Sequence, residues 1–263
     1  EIGEMLNTIN KDFVDEKELM LLKPNFKYDD FDIIFQLLRN KYNLNFTHYK
    51  PSTITRRISR RMMLKDIETV EEYSDLLTKD SDELELLYHD LLINVTSFFR
   101  DKPAFELLNK VVLPVLFDRK NQIRVWVAGC ATGEEAYSIA MLLVDEAVKR
   151  HFENDITIFA TDVHKRSLDV ASAGVYSLEK GENIPDKFFQ NYIRKNDSGK
   201  IEIIKSIRNK IVFAPHDLIK DPPIKEIDLI CCRNLLIYLR NEAQGKVLSQ
   251  FNFSLKDNGF LFL

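Results

Sequence analysis

The residues able to do chemistry in this chain gather where apolar runs end. In Arg124-Val-Trp-Val-Ala-Gly129-Cys-Ala-Thr-Gly133-Glu134-Glu135-Ala-Tyr-Ser-Ile, an apolar run gives way to a turn with two glycines and then to a helical pattern. A strand, a glycine turn and a helix start in that order bring backbone N–H groups against a nucleotide-like ligand. Dinucleotide sites space their glycines G-x-G-x-x-G and seat a pyrophosphate on the helix N-terminus. Here the spacing is G-x-x-x-G, and two carboxylates at the helix start would repel a pyrophosphate. They suit a ligand with a cationic amino group and sugar hydroxyls. The plainer alternative is that Glu134 and Glu135 only complement the helix dipole.

A second carboxylate supports the ligand reading. Asp162 ends Ile156-Thr-Ile-Phe-Ala-Thr161-Asp162, and an acid at the carboxyl end of a second strand accepts hydrogen bonds from ribose hydroxyls. Alone it could equally cap the helix beginning at Val163. Both features fall on the sheet edge where open α/β sheets bind ligands, and together they fit S-adenosylmethionine. Ile227-Asp-Leu-Ile-Cys-Cys-Arg233-Asn234-Leu-Leu-Ile-Tyr238 repeats the logic at a later strand, with Asn234 and Tyr238 at i, i+4 on one expected helix face. A core aromatic and a helix cap are the plain alternatives for Tyr238 and Asn234. The basic run from Lys50 to Lys65 includes Arg56, Arg57, Arg60 and Arg61 and holds no acid. A single-sign run in a net-acidic chain points to a polyanionic partner, acidic protein or nucleic acid. Residues 91–101, with Asn94, Thr96 and Arg100 punctuating an apolar run, read by pattern alone as a helix end.

The elements that position these residues change character near residue 120. From residue 28 to 116 the spacing is helical, as in Phe31, Ile34, Phe35 and Leu38, with helix starts at Ser52 or Thr53, at Thr69 and at Ser81. Beyond a polar segment at 118–122, apolar runs at 124–128, 156–160, 211–214, 227–232 and 260–263 alternate with helical stretches at 136–148, 166–173 and 235–255. That alternation predicts α/β structure with a parallel sheet and crossover helices. Residues 189–213 break it and read as a small antiparallel insert. The expected organisation is a linker or leading helix over 1–24, a helical domain over 25–118 and an α/β domain over 119–263.

Composition narrows the class. The chain has 263 residues, with 37 Lys and Arg against 41 Asp and Glu, a net charge of −4. That disfavours a globally basic nucleic-acid binder. Cys130, Cys231 and Cys232 make neither a disulfide framework nor a zinc site. No metal is expected, and a reducing cytoplasm is the expected compartment. No apolar run approaches the roughly 20 residues of a membrane span.

Four motifs in order resemble the bacterial chemoreceptor glutamate methyltransferases of the CheR type. Asn94-Val-Thr-Ser-Phe-Phe-Arg100-Asp is similar to the family's N-x-T-x-F-F-R-[DE] segment, and Gly129-Cys-Ala-Thr-Gly-Glu-Glu-Ala-Tyr-Ser-Ile-Ala to its glycine loop. Ala160-Thr-Asp162 and Cys232-Arg-Asn-Leu-Leu-Ile-Tyr238 resemble its second and fourth strand ends. The resemblance implies an all-α N-terminal domain and a Rossmann-like class I methyltransferase sheet carrying a small antiparallel β insert. It implies S-adenosyl-L-methionine as cofactor, with S-adenosyl-L-homocysteine as product. Asn94, Thr96, Arg100, Gly129, Glu135 (with Glu134 second to it), Asp162, Asp217, Leu218 and Asn234 would bind it. Arg233, Asn234 and Tyr238 would lie nearest the transferred methyl group.

The implied partner is the cytoplasmic domain of methyl-accepting chemoreceptors, whose acidic helices would meet Arg56, Arg57, Arg60 and Arg61. Neither nucleic acid nor membrane insertion is expected. Two departures stand out: Ala136 replaces a usual proline, and Asp217 a common asparagine. The insert's turn Asn196-Asp-Ser-Gly-Lys200 also lacks the glycine-rich loop of relatives that dock a tethering peptide. Rival readings are a class I methyltransferase acting on RNA or a small molecule, and a non-catalytic module that binds the cofactor or a signalling nucleotide. The basic run lacks the interleaved aromatics of a base-stacking surface. Other signalling domains are expected in the parent chain. The closing C-terminal hairpin of such sheets is expected to be missing here, which would leave an apolar strand at an edge.

Overall fold

The computed structural model describes residues 28–92, 95–119 and 122–263. The expected leading segment 1–24 lies outside them. By contacts the chain forms two compact units, Glu1–Ile93 with Tyr238–Ala243, and Asn94–Ile237 with Gln244–Leu263.

The first unit is helical. Helices α1 (Asp32–Tyr42), α2 (Pro51–Leu64), α3 (Val70–Lys79) and α4 (Ser81–Leu91) follow one another with short connections. Asn43 ends α1 in the left-handed conformation (φ 57°), its N–H returning to the Arg39 carbonyl. Pro51 opens α2, where its missing N–H costs nothing. Thr69 caps α3 by accepting from the Glu72 N–H, and Asp80, rather than Ser81, caps α4 by accepting from Asp82 and Glu83. The helical spacing buries Ile34 and Leu38 of α1, Ile54, Ile58 and Met62 of α2, Leu77 of α3, and Leu87 and Leu91 of α4.

The second unit is α/β. Strands β1 (Ile123–Ala128), β2 (Ile156–Asp162), β6 (Ile211–Pro215), β7 (Ile227–Cys231) and β8 (Leu255–Phe262) form one sheet in the order β6-β2-β1-β7-β8. Every neighbouring pair in it is parallel. Helices α5 (Lys102–Leu107), α6 (Leu113–Asp118), α7 (Glu134–Arg150), α8 (Lys165–Ala173) and α11 (Asn241–Ser254) accompany it. A separate antiparallel sheet in the order β3-β5-β4 joins Val175–Tyr176, Ile201–Ile203 and Ile193–Lys195, with α9 (Asp186–Tyr192) and α10 (Lys205–Arg208) alongside.

Three boundaries differ from the sequence reading. The units divide at Ile93/Asn94 rather than at 118/119, because Phe98, Phe99, Phe105, Leu113, Leu116 and Phe117 pack into the core that holds β1 and α7. The insert starts at Val175, not 189, and ends before Ile211 rather than at 213, while the 211–214 run takes its expected place in the parallel sheet. Two-residue β3 is too short to show a period of two. The helix expected over 235–255 starts only at Asn241, since Asn234 takes φ 58° and Leu236–Tyr238 forms a 3-10 turn. Strand β8 lies at one edge of the sheet.

Candidate active site

Chain order reverses direction at β1, whose two neighbours are β2 and β7. Ligands of open α/β sheets bind at the carboxyl ends of strands at such a switch point. The loop Gly129–Gly133 leaves β1 there, Asp162 ends β2, and Arg233 and Asn234 follow β7.

The loop after β1 is held by the neighbouring strand. The N–H groups of Gly129 and Cys130 both donate to the Thr161 carbonyl, at 2.8 and 3.0 Å. Gly129 sits at φ 74°, where a Cβ would stand 2.7 Å from Leu235 Cδ2, so both conformation and space call for glycine. Ala131 is left-handed without being glycine (φ 47°), and its N–H donates to Asp162 Oδ2 at 2.8 Å. The other carboxylate oxygen of Asp162 accepts from the His164 N–H at 2.9 Å. Asp162 thus caps the next turn and pins the glycine loop, with acceptor capacity left over for a ligand. Burial raises its pKa against the pull of these backbone N–H groups.

The two adjacent glutamates separate. Glu134 is fully buried, pairs with Lys180, and accepts from Thr132 Oγ1 at 2.6 Å. Glu135 accepts no hydrogen bond among the described residues, and its nearest cation, Arg233 Nη1, stands 3.8 Å from Oε2. Burial pushes Glu135 up to about 7, with Arg233 and Arg100 opposing the shift. A half-ionised carboxylate lacking a hydrogen-bond partner suits a ligand cation.

Arg233 does not extend toward open space. Its Nη1 donates to the Arg100 carbonyl at 2.8 Å, and its Nη2 pairs with Asp101 at 3.1 Å. The guanidinium lies over the rings of Phe105 and Phe262 at 5.3 and 4.8 Å. It is therefore a brace for the 95–101 segment, with Nε buried and lacking a hydrogen-bond partner. The same segment is anchored where the Phe99 N–H donates to Ser138 Oγ at 2.9 Å. Ser138 in turn donates to the Glu134 carbonyl at 2.7 Å. Arg100 donates to the Val95 carbonyl, Thr96 is half-buried, and Asn94 lies outside the described residues.

Asp217 accepts from the Ile219 N–H at 2.9 Å and closes the turn after β6, with Leu218 buried beside it. Asn234 is exposed, and Tyr238 belongs to the helical unit, where its carbonyl accepts the Lys50 N–H. The expected shared helix face of Asn234 and Tyr238 does not form, because the left-handed Asn234 stops helical propagation.

The basic run is also less open than its composition suggests. Arg61 is buried and grips Glu83 through Nε and Nη2, at 2.9 and 2.6 Å. Arg60 pairs with Asp90 at 2.8 Å, and Arg57 donates to the Asp90 carbonyl. The acids come from α4, out of sight of a scan along α2. The sequence reading passed over Ser138, Asp101, Tyr176 and Lys180, which hold the site from behind. Asp101 and Ser138 lie inside matched motifs, but Tyr176 and Lys180 carry no spacing signal.

Residues 94–263 match the family model for the CheR methyltransferase SAM binding domain, and residues 29–92 match the CheR methyltransferase all-alpha domain. This chain belongs to the CheR methyltransferase family. A chemotaxis protein methyltransferase of Listeria monocytogenes is 33% identical over 236 residues, covering 89% of this chain and 88% of that one. One from Borreliella burgdorferi is 28% identical, covering 92% and 89%. A 104.1 kDa uncharacterized protein of Rhodobacter capsulatus is 41% identical over 88% of this chain, which spans only 24% of that protein's length.

The cofactor of this CheR domain is S-adenosyl-L-methionine, and the residues present fit it. Glu135 offers a carboxylate for a cationic group, and Asp162 has acceptor capacity for sugar hydroxyls. Among the described residues no cluster of His, Cys, Asp and Glu could hold a metal, and no helix is long and apolar enough to cross a membrane.

A pH dependence follows from Glu135. Its folded-state pKa of about 7 lies above the usual 4.5, so between those values the folded apo protein carries a proton that the unfolded chain has lost. This contribution to stability is complete below about 4.5 and fades as pH rises through 7. If Glu135 holds a cationic group of the cofactor it does so ionised, so binding is expected to strengthen from pH 6 to 8 with release of protons near 7. Calorimetry with S-adenosylhomocysteine in buffers of differing ionisation enthalpy measures that release, and Glu135→Gln should abolish it.

Proposed function

We propose that this CheR-family chain transfers a methyl group to glutamate side chains of chemoreceptor cytoplasmic helices, giving γ-glutamyl methyl esters. The observation that carries the proposal is the family match over both units, joined to a strand-end site furnished with carboxylates and arginines rather than a general base. A substrate glutamate, with a pKa of about 4.3, is already ionised at pH 7, so it attacks without losing a proton. The histidines at this sheet edge are tied to their own loops, His164 to Ser167 and His216 to the Pro222 carbonyl. Bound S-adenosylmethionine supplies an electrophilic methyl on a sulfonium.

The protein's part is orientation and exclusion of water. Glu135 and Asp162 seat the cofactor's polar groups, and Arg233 fixes the 95–101 segment beside them. Arg56, which makes no ion pair among the described residues, and Arg57, whose partner is a carbonyl, leave uncompensated positive charge on α2. That charge would attract an acidic receptor helix on the cytoplasmic side, in a salt-sensitive way.

The test is incubation with methyl-labelled S-adenosylmethionine and a receptor cytoplasmic fragment. The expected product releases labelled methanol on mild base treatment. Labelled product stable to base, or label appearing only in added RNA, would overturn this reading. Arg56→Glu is expected to weaken receptor affinity about fivefold at low salt, with little effect at high salt.

A further inference from the structure

The antiparallel insert supplies none of the residues assigned to the cofactor, yet three of its side chains reach the segments that hold it. Tyr176, the last residue of β3, donates its hydroxyl to the Thr132 carbonyl at 2.7 Å. Its ring meets Phe98 edge-on, with centroids 5.1 Å apart. Lys180, in the 3-10 turn Glu179–Asn183, pairs with the fully buried Glu134. Phe188 of α9 stacks on Phe99 at 5.2 Å, the planes 6° apart.

The geometry points to Tyr176 and Lys180 as positioning residues for S-adenosylmethionine, acting through the loop after β1 and the first turn of α7. This rests on the cofactor assignment above. Gly129, Ala131 and Gly133 all have positive φ, and the left-handed Ala131, which is not glycine, persists only where the surroundings fix this loop. Thr132 lies inside it, and the Tyr176 hydroxyl pins its carbonyl. Successive residues of a helix point about 100° apart. Anchoring Glu134 toward the insert therefore turns Glu135 away from it, to the side where Arg233 stands 3.8 Å off. Without Lys180, a fully buried carboxylate would lose its cation, and relief requires the first turn of α7 to shift. Glu135 would move with it.

The link is reciprocal: whatever orders the insert strengthens cofactor binding, and cofactor orders the insert. In the wild-type chain, S-adenosylhomocysteine should slow hydrogen exchange across residues 176–183 as well as across 129–135. Lys180→Met is expected to weaken its binding about tenfold, equivalent to roughly 1.4 kcal/mol, and to uncouple the insert's protection from the ligand. Lys180→Arg should restore most of both. Tyr176→Phe, which removes a single oxygen atom, should weaken binding about threefold in a protein that still folds, its melting temperature only a few degrees lower. It decides the matter if Lys180→Met fails to fold. Wild-type affinity in folded Lys180→Met, or in Tyr176→Phe should the first not fold, overturns the inference and leaves the cofactor assignment standing. A wild-type chain that fails to bind S-adenosylhomocysteine overturns both.

Discussion

Asp162→Ala is expected to weaken S-adenosylhomocysteine binding by about 100-fold or more. Two hydrogen bonds to a charged acceptor vanish together, one from Ala131 and one from His164, each worth about 1.5–3 kcal/mol. The first holds the loop after β1 at a left-handed alanine, so loop geometry is lost along with the acceptor for sugar hydroxyls. Asp162→Asn keeps one carbonyl oxygen and should lose less. Titration calorimetry measures both variants, and circular dichroism checks that the sheet persists. Affinity within twofold of wild type for Asp162→Ala would reduce Asp162 to a helix cap.

The second large effect is on stability, in the helical unit. Arg61→Ala should cost about 3–5 kcal/mol, the usual consequence of removing one partner of a buried ion pair. Glu83 is fully buried, and accepts from Arg61 twice and from Tyr73 at 2.8 Å, with Lys65 at 3.1 Å. Burial alone would raise the Glu83 pKa, but the hydrogen bonds from Arg61 and Tyr73 hold it below the usual value. Its stabilisation is thus present above about pH 4.5 and lost as pH falls through the lower, folded-state value. Urea unfolding at pH 7 and pH 4 would show wild type losing stability on acidification and Arg61→Ala losing less. Equal stability of the two proteins at pH 7 would show that Lys65 and Tyr73 suffice. Arg56→Glu on the same helix should leave stability nearly unchanged, because Arg56 makes no ion pair among the described residues. Four arginines that look alike in one run therefore divide: Arg61 is buried on Glu83, Arg60 and Arg57 are held by Asp90, and Arg56 makes no ion pair among the described residues.

That division marks how far the sequence could be read. The expected strand runs at 124–128, 156–160, 211–214 and 227–232 each lie within or nearly within an observed strand of the parallel sheet. Buried parallel strands are continuous apolar runs, and that pattern is local. The carboxylate positions were legible for the same reason, since the end of an apolar run is the end of a strand. The insert was misplaced because β3 has two residues and its partner β5 comes more than twenty residues later. The helix after β7 was drawn too early because apolar spacing cannot report a left-handed backbone at Asn234.

The class, the strand ends that carry the site and the residue types gathered there are all legible along the chain. Each of these depends on a run of neighbours along the chain. What those residues do with their charge emerges on folding: Glu134 faces Lys180 while Glu135 accepts no hydrogen bond among the described residues, Arg233 braces the 95–101 segment, and Arg61 is buried against Glu83. A charged group's role is set by the partner that compensates it. In each case that partner arrives from a distant part of the chain, where periodicity and spacing have nothing to say.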